Sequence, residues 1–340
     1  MTDVRLPAAE LQHLTEEIFV ALGASDADAA TTARVLVRAD LAGHGSHGVR
    51  LVSYYFERCR NGQIVSSARP TIDRDGGATV SLDGNRALGP VAGMTAVDLA
   101  VVRAREHGVA VVTVRRCGHL GRLADYVSHA ADQGAIALLA ANDSGAHQVV
   151  APYGSREGRL ATNPFAAGIP RRETPHLVLD MATSAVSHGT VEVAQLRGTP
   201  VPADWVTPDN VLLPLGGPKG TGLALMVDVL GGMLSGAGYS TADSADDYQG
   251  VWILALDPER FLPSTRLETD VETLVAHVRS ALPSDGRDVL VPGEPGDLAS
   301  RTNLVAGAPL AEPVWLELQE IAAALGVEVS VNPNERKEQP

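Results

Sequence analysis

Apolar residues near the N-terminus recur at helical spacing. Leu11, Leu14, Ile18 and Leu22 fall three and four positions apart, and Gly23 ends the run. A second helix is expected from Ser25, where Asp28 completes a capping arrangement. It carries Val35, Leu36 and Ala39 and stops near Gly43. A histidine-bearing loop follows, then a third helical stretch over 49–60, closed by Asn61-Gly62.

Strand and helix patterns then alternate. Strands are expected over 78–82, 109–114, 135–141, 176–179 and 251–256, and helices over 91–107, 123–133 and 219–234. Two late helices are expected over 271–282 and 314–325. Between them, 283–309 is rich in Pro, Gly and Asp and reads as a long surface loop. The pattern predicts an α/β fold: a largely enclosed sheet with helical segments at both ends.

Composition narrows the class. The chain has 340 residues, and 45% are hydrophobic, enough for one large α/β unit or two joined domains. Its net charge of −14 argues against nucleic acid and against an anionic membrane surface. The longest apolar helix, over 222–234, carries Asp228 and is too short for a bilayer. Two cysteines, Cys59 and Cys117, form no C-x-x-C, and no signal-peptide pattern opens the chain, so a cytoplasmic location is expected.

Two histidine loops stand out. Gly43-His-Gly-Ser-His-Gly48 matches G-x-G-x-x-G literally, but a helix rather than a strand precedes it, so it is not the dinucleotide fingerprint. Ser46, His47, Arg50 and Tyr55 cluster there and suit a small oxygenated anion, since arginine grips carboxylates bidentately. A capped loop whose histidines bond the backbone explains the cluster equally well. No third ligand stands at metal spacing, so no metal is expected. His119 lies between Gly118 and Gly121, just past an apolar strand. That is where α/β proteins place ligands and where a histidine serves as acid or base. An exposed loop histidine is the alternative. The glycine-rich run from Leu215 to Gly222 enters a helix and carries Lys219, which suits a phosphate. A flexible connection with a solvated lysine is the competing reading. Asp180 ends a strand and suits either a ribose or a helix cap. No G-x-S-x-G elbow is present, so a serine hydrolase is poorly supported.

In order, several segments resemble the type 2 malate/L-lactate dehydrogenase family, with its ureidoglycolate and sulfolactate dehydrogenases and its piperideine-2-carboxylate (ketimine) reductases. They begin with Ala39-Asp-Leu-Ala-Gly-His-Gly-Ser-His-Gly48, Arg116-Cys-Gly-His-Leu-Gly121 and Ala161-Thr-Asn-Pro-Phe165. Leu179-Asp-Met-Ala-Thr-Ser184, the stretch from Leu213 to Leu225 and Val291-Pro-Gly-Glu294 follow. The resemblance covers nearly the whole chain. It implies a malate/L-lactate dehydrogenase-like α/β fold, not the standard Rossmann domain, and a homodimer. It implies a substrate domain over 1–117 and 266–340 and an NAD(P)-binding domain over 118–265.

By the same resemblance, His119 is the acid/base, and Ser46 and His47 line the substrate pocket. Arg50, Tyr55 and Asn142 are expected as substrate contacts. Thr162, Asn163, Asp180, Met181, Ala182, Pro218, Lys219 and Gly220 are expected along NAD or NADP. The chain departs from the family pattern at three places. Leu51 stands where an arginine is usual, and Arg50 is rotated by about 100° on a helix. Gly189-Thr190 replaces Gly-Lys, and the loops over 142–152 and 205–213 differ in length. The expected activity is hydride transfer between nicotinamide and a 2-oxo or 2-hydroxy acid, or a cyclic imine acid. The alternatives are a member specialised for another carbonyl or imine, and a cofactor-free, non-redox protein on the same fold.

Overall fold

The structure, a computed structural model, describes residues 3–143, 145, 147–196, 199–241, 248–284 and 286–330. The chain folds as two compact units. One comprises Met1–Ala68 with Pro295–Pro340, the other Arg69–Glu294.

In the first unit, β1 (Asp3–Leu6) leads into α1 (Ala8–Ala21), α2 (Asp26–Leu41) and α3 (Leu51–Arg60). The apolar stripe of α1 buries Leu11, Leu14, Ile18 and Phe19. Ser25 caps α2 as its sequence predicts: the Asp28 N–H donates to Ser25 Oγ, and the hydroxyl donates to the Asp28 carboxylate at 2.7 Å.

The second unit holds a seven-stranded sheet. Its strands are β2 (Thr71–Asp75), β3 (Thr79–Asp83), β4 (Val109–Cys117), β5 (Ile136–Asn142), β6 (Phe165–Ile169), β7 (Leu177–Met181) and β8 (Gln249–Leu256), in spatial order β2-β3-β4-β8-β5-β6-β7. Only β3 and β4 run parallel, joined by α4 (Gly89–His107) as a crossover. The remaining helices here are α5 (Ala124–Asp132), α6 (His188–Leu196), α7 (Pro218–Val227) and α8 (Ser264–Arg279), with α7 running on as a π-helical turn over Asp228–Met233. The α/β expectation holds, with a mixed sheet at its centre.

Two expectations change. The stretch expected as loop over 283–309 contains α9 (Glu294–Ala306) and β9 (Ala308–Ala311), followed by α10 (Glu312–Leu325). Pro295 and Gly296 punctuate the first turn of α9, where proline is tolerated, and there they disguise a helix start as a loop. Glu294 reaches back to accept the Val291 N–H at 2.8 Å, as in a capping box. Then β9 pairs with β1, and Arg5 bonds Asn303 Oδ1 and the Gly307 carbonyl at 3.0 and 2.9 Å. The unit boundaries also fall at 68/69 and 294/295, not at 117/118 and 265/266. A cut after Cys117 would fall at the end of β4 and part it from β8, with which it pairs antiparallel from Val109 to Cys117. Among the described residues, no helix is long and apolar enough to cross a membrane.

Candidate active site

A bulge delivers His119. The pairing of β4 with β8 runs to Val114↔Val251 and resumes at Cys117↔Gln249, so β4 carries one extra residue there. Arg116 absorbs the irregularity at φ +55, a conformation that strains a residue other than glycine. Its guanidinium is held by Asp83, which accepts from Arg116 Nε at 3.1 Å and pairs with Arg115 at 2.7 Å. Burial opposes the charge on Asp83. The Arg116 hydrogen bond, the Asn85 amide and the two guanidinium charges outweigh burial and hold the carboxyl below its usual range.

The turn that follows is clamped from several sides. The Gly118 N–H donates to the Ala87 carbonyl at 3.0 Å, and the Leu120 N–H donates to Gln249 Oε1 at 2.7 Å. The Tyr126 hydroxyl donates to the Leu120 carbonyl. A Cβ at Gly89 would sit 2.1 Å from the His119 carbonyl oxygen, so the start of α4 packs directly on the turn. Within it, the Gly121 N–H donates to His119 Nδ1 at 2.9 Å. The neutral ring therefore carries its proton on Nε2.

Asp180, at the end of β7, accepts the Ala124 N–H at 2.8 Å and so caps α5, the helix that leaves the His119 turn. Burial raises its pKa, with the Ala124 bond and the Arg122 charge opposing. Its capping partner is thus an earlier helix than the one its sequence suggests.

Most of the other expected cofactor residues gather beside the glycine-rich run. Thr183 donates twice to the Thr162 carbonyl, from N–H and Oγ1, both at 2.9 Å. The Leu215 N–H donates to the Thr183 carbonyl, and the Gly220 N–H to the Leu215 carbonyl. A Cβ on Gly220 would fall within 2.7 Å of both carbonyl oxygens, which explains the glycine. Asn163 is fully buried; its amide donates to the Ala224 carbonyl at 2.9 Å, while among the described residues its Oδ1 has no hydrogen-bond partner. Pro218 and the exposed Lys219 open α7 just after Gly216 and Gly217, at φ +59 and +64. Met181 and Ala182 are half-buried next to Thr183. Thr190, in place of the family lysine, bonds Ser187 at the start of α6. The longer loop over 142–152 lies partly outside the described residues.

Asn142 lies at the end of β5. It is 1% exposed, and its amide donates to the Gly238 carbonyl at 3.0 Å and to Asp228 at 3.2 Å. It ties the end of β5 to the turn beyond α7, while among the described residues its Oδ1 has no hydrogen-bond partner.

In the helical unit, Gly45–His47 form a 3-10 turn in which Ser46 Oγ and His47 Nδ1 lie 2.9 Å apart. Beneath the turn is Asp40, which sequence reasoning passed over. It is 3% exposed, accepts the Val49 N–H at 2.8 Å, and lies so close that a Cβ on Gly48 would meet its carboxylate at 2.0 Å. Burial pushes its pKa up to about 8, with the Val49 hydrogen bond opposing. The signal available was an acidic residue beside Ala39 on the buried side of α2. Arg50 is exposed at the entrance to α3. Tyr55 is fully buried, edge-on to Phe19 with ring centroids 5.5 Å apart. Among the described residues, no cluster of three potential metal ligands occurs.

Residues 6–319 match the malate/L-lactate dehydrogenase family. The chain belongs to the malate/L-lactate dehydrogenase family. The malate dehydrogenase of Pyrococcus horikoshii is 32% identical to it over 96% of both chains. The solved structure of that enzyme superposes with a TM-score of 0.87, covering 96% of this chain and 97% of its own. The NAD(+)-named ureidoglycolate dehydrogenase of Escherichia coli K12 is 30% identical, covering 92% of this chain and 94% of its own. The delta1-piperideine-2-carboxylate reductase of Pseudomonas syringae superposes with a TM-score of 0.78 at 28% identity, over 94% and 99% of the two chains. As a member of this family the chain is an oxidoreductase.

Proposed function

We propose that this oxidoreductase uses NAD or NADP to move hydride between nicotinamide and a 2-oxo/2-hydroxy acid pair or a cyclic imine acid. The observation that carries the reading is the His119 turn. The Gly121 bond to Nδ1 leaves the proton of the neutral ring on Nε2, the form that donates to a carbonyl oxygen or imine nitrogen. As negative charge develops on that atom, Nε2–H stabilises it by hydrogen bonding; the proton itself is delivered from the imidazolium form, which leaves a neutral ring that solvent reprotonates. Ser46 and His47 are assigned to substrate.

The donor set suits the cofactor. Lys219 at the start of α7, beside the Gly216-Gly217 turn, fits a diphosphate, with Thr162, Asn163, Asp180, Met181, Ala182, Pro218 and Gly220 assigned along the rest. The bound dinucleotide supplies the hydride. Titration with NADH and NADPH, followed by nicotinamide fluorescence, is expected to show saturable binding of at least one. Glyoxylate, pyruvate, oxaloacetate or piperideine-2-carboxylate should then consume it. Binding of neither nucleotide overturns the reading.

A homodimer completes the proposal. Leu225, Met226, Val229, Met233 and Leu234 are exposed along α7 and its π-helical extension, an apolar stripe that suits a second copy. Light scattering is expected to give twice the 35.5 kDa chain mass; a monomer at micromolar concentration counts against it. A cytoplasmic location fits the two free cysteines, and recovery with membranes would argue against it.

A further inference from the structure

Arg122 follows the His119 turn directly, between Gly121 at φ +76 and the first residue of α5, Ala124. Its side chain is only 16% exposed. Buried guanidinium groups ordinarily spend their donors on carboxylates or carbonyls, because leaving them unpaired forfeits hydration without return. Arg171 in the same unit behaves that way. Its side chain is 3% exposed, and it donates to Glu272 at 3.0 and 2.8 Å and to the Pro175 carbonyl at 3.1 Å.

Arg122 does not. Among the described residues its Nε is buried with no hydrogen-bond partner. Its nearest carboxylate, Asp125, lies 3.8 Å from Nη1, which is an ion pair but too long for a hydrogen bond. Asp180 is within electrostatic reach, but its Oδ2 accepts the Ala124 N–H, and burial shifts it toward its neutral form. The guanidinium therefore retains a planar set of donors, three positions from the proposed proton donor, with two carboxylates in electrostatic range and neither of them a bidentate partner.

From the unfilled donors beside the His119 turn we infer that Arg122 binds the carboxylate of the substrate, so that the cationic grip and the proton donor come from one turn. The inference rests on the proposed hydride-transfer reading and deepens it: the substrate class becomes a carbonyl or imine bearing an adjacent carboxylate. Fork-to-fork geometry of guanidinium and carboxylate would also orient the reacting atom, which a lysine could not do.

The test compares Arg122→Met and Arg122→Lys with the wild type, using pyruvate and its neutral methyl ester. Wild-type protein is expected to show a much lower KM for pyruvate. Arg122→Met should raise the pyruvate KM by about 10- to 100-fold, leave the ester KM within about twofold, and leave NADH affinity by fluorescence unchanged. Arg122→Lys should fall between the two for pyruvate. Should Arg122→Met fail to fold, weakening of oxamate inhibition in Arg122→Lys by about tenfold carries the same information. An unchanged pyruvate KM in Arg122→Met, or unchanged oxamate inhibition in Arg122→Lys, overturns the assignment. A selective loss of NADH binding also overturns it, moving the residue to the cofactor diphosphate. If the wild type reduces no 2-oxo acid or cyclic imine acid, the hydride-transfer reading itself falls, and that outcome is separate from the behaviour of the variants.

Discussion

Replacing His119 by alanine is expected to lower kcat for 2-oxo acid reduction by about 10²- to 10⁴-fold while NADH binding stays within twofold. The prediction follows from how the turn is held. Gln249 takes the Leu120 N–H, Tyr126 donates to the Leu120 carbonyl, and Gly89 packs against the His119 carbonyl. These contacts involve backbone atoms of the turn, so losing the imidazole leaves its course intact. The bond from the Gly121 N–H to Nδ1 disappears with the ring. Catalysis, not folding, therefore bears the loss, and kcat and kcat/KM should fall together, as expected for a group that acts in the transition state. Stopped-flow or steady-state NADH oxidation measures it. A variant with wild-type turnover removes His119 from the proton path.

His119 was legible because glycines flank it at the end of a β-branched run. What aims it was not. The bulge at Arg116 exists only relative to Gln249 and Val251 on β8, and one strand's periodicity carries no information about its partner's register. Asn142 shows the converse. A polar residue ending an apolar strand reads the same whether it meets a ligand or, as here, Asp228 and the Gly238 carbonyl. The Tyr55 phenol reads from sequence as a polar contact, and its helix turns the ring onto Phe19. In β2, all five residues are exposed, so the edge strand has no apolar alternation to detect. The helices α1, α2 and α4 were read well because each buries a stripe against its own unit's core. The segment near Glu294 failed because Pro and Gly sit where a helix begins.

Asp40 leads to the second large effect. Exchanging it for asparagine is expected to change the pH dependence of stability by several kcal/mol. The folded carboxyl titrates near 8 and its ordinary value is 3.8. Below about pH 4 both folded and unfolded chains hold the proton, and Asp40 contributes no pH dependence. Between about 4 and 8 the unfolded chain has released it while the folded chain retains it. Rising pH therefore favours unfolding across this window, and the contribution is lost once the folded group ionises. A gap of roughly four units sets a ceiling of about 5 kcal/mol. Asparagine never ionises and still accepts the Val49 N–H. Its stability relative to wild type should therefore climb from pH 5 to pH 8 and level off above pH 9, as measured by urea unfolding of both proteins. A difference that stays flat across that range would show that Asp40 is ionised in the folded protein. The position has a functional side as well. Gly48 lies against this carboxyl and Val49 bonds it, directly after Ser46 and His47. Ionising it beneath a tightly packed turn without a cationic partner would press on the Gly48 contact. Asp40 thus ties the geometry of the proposed substrate loop to a proton held in the protein interior.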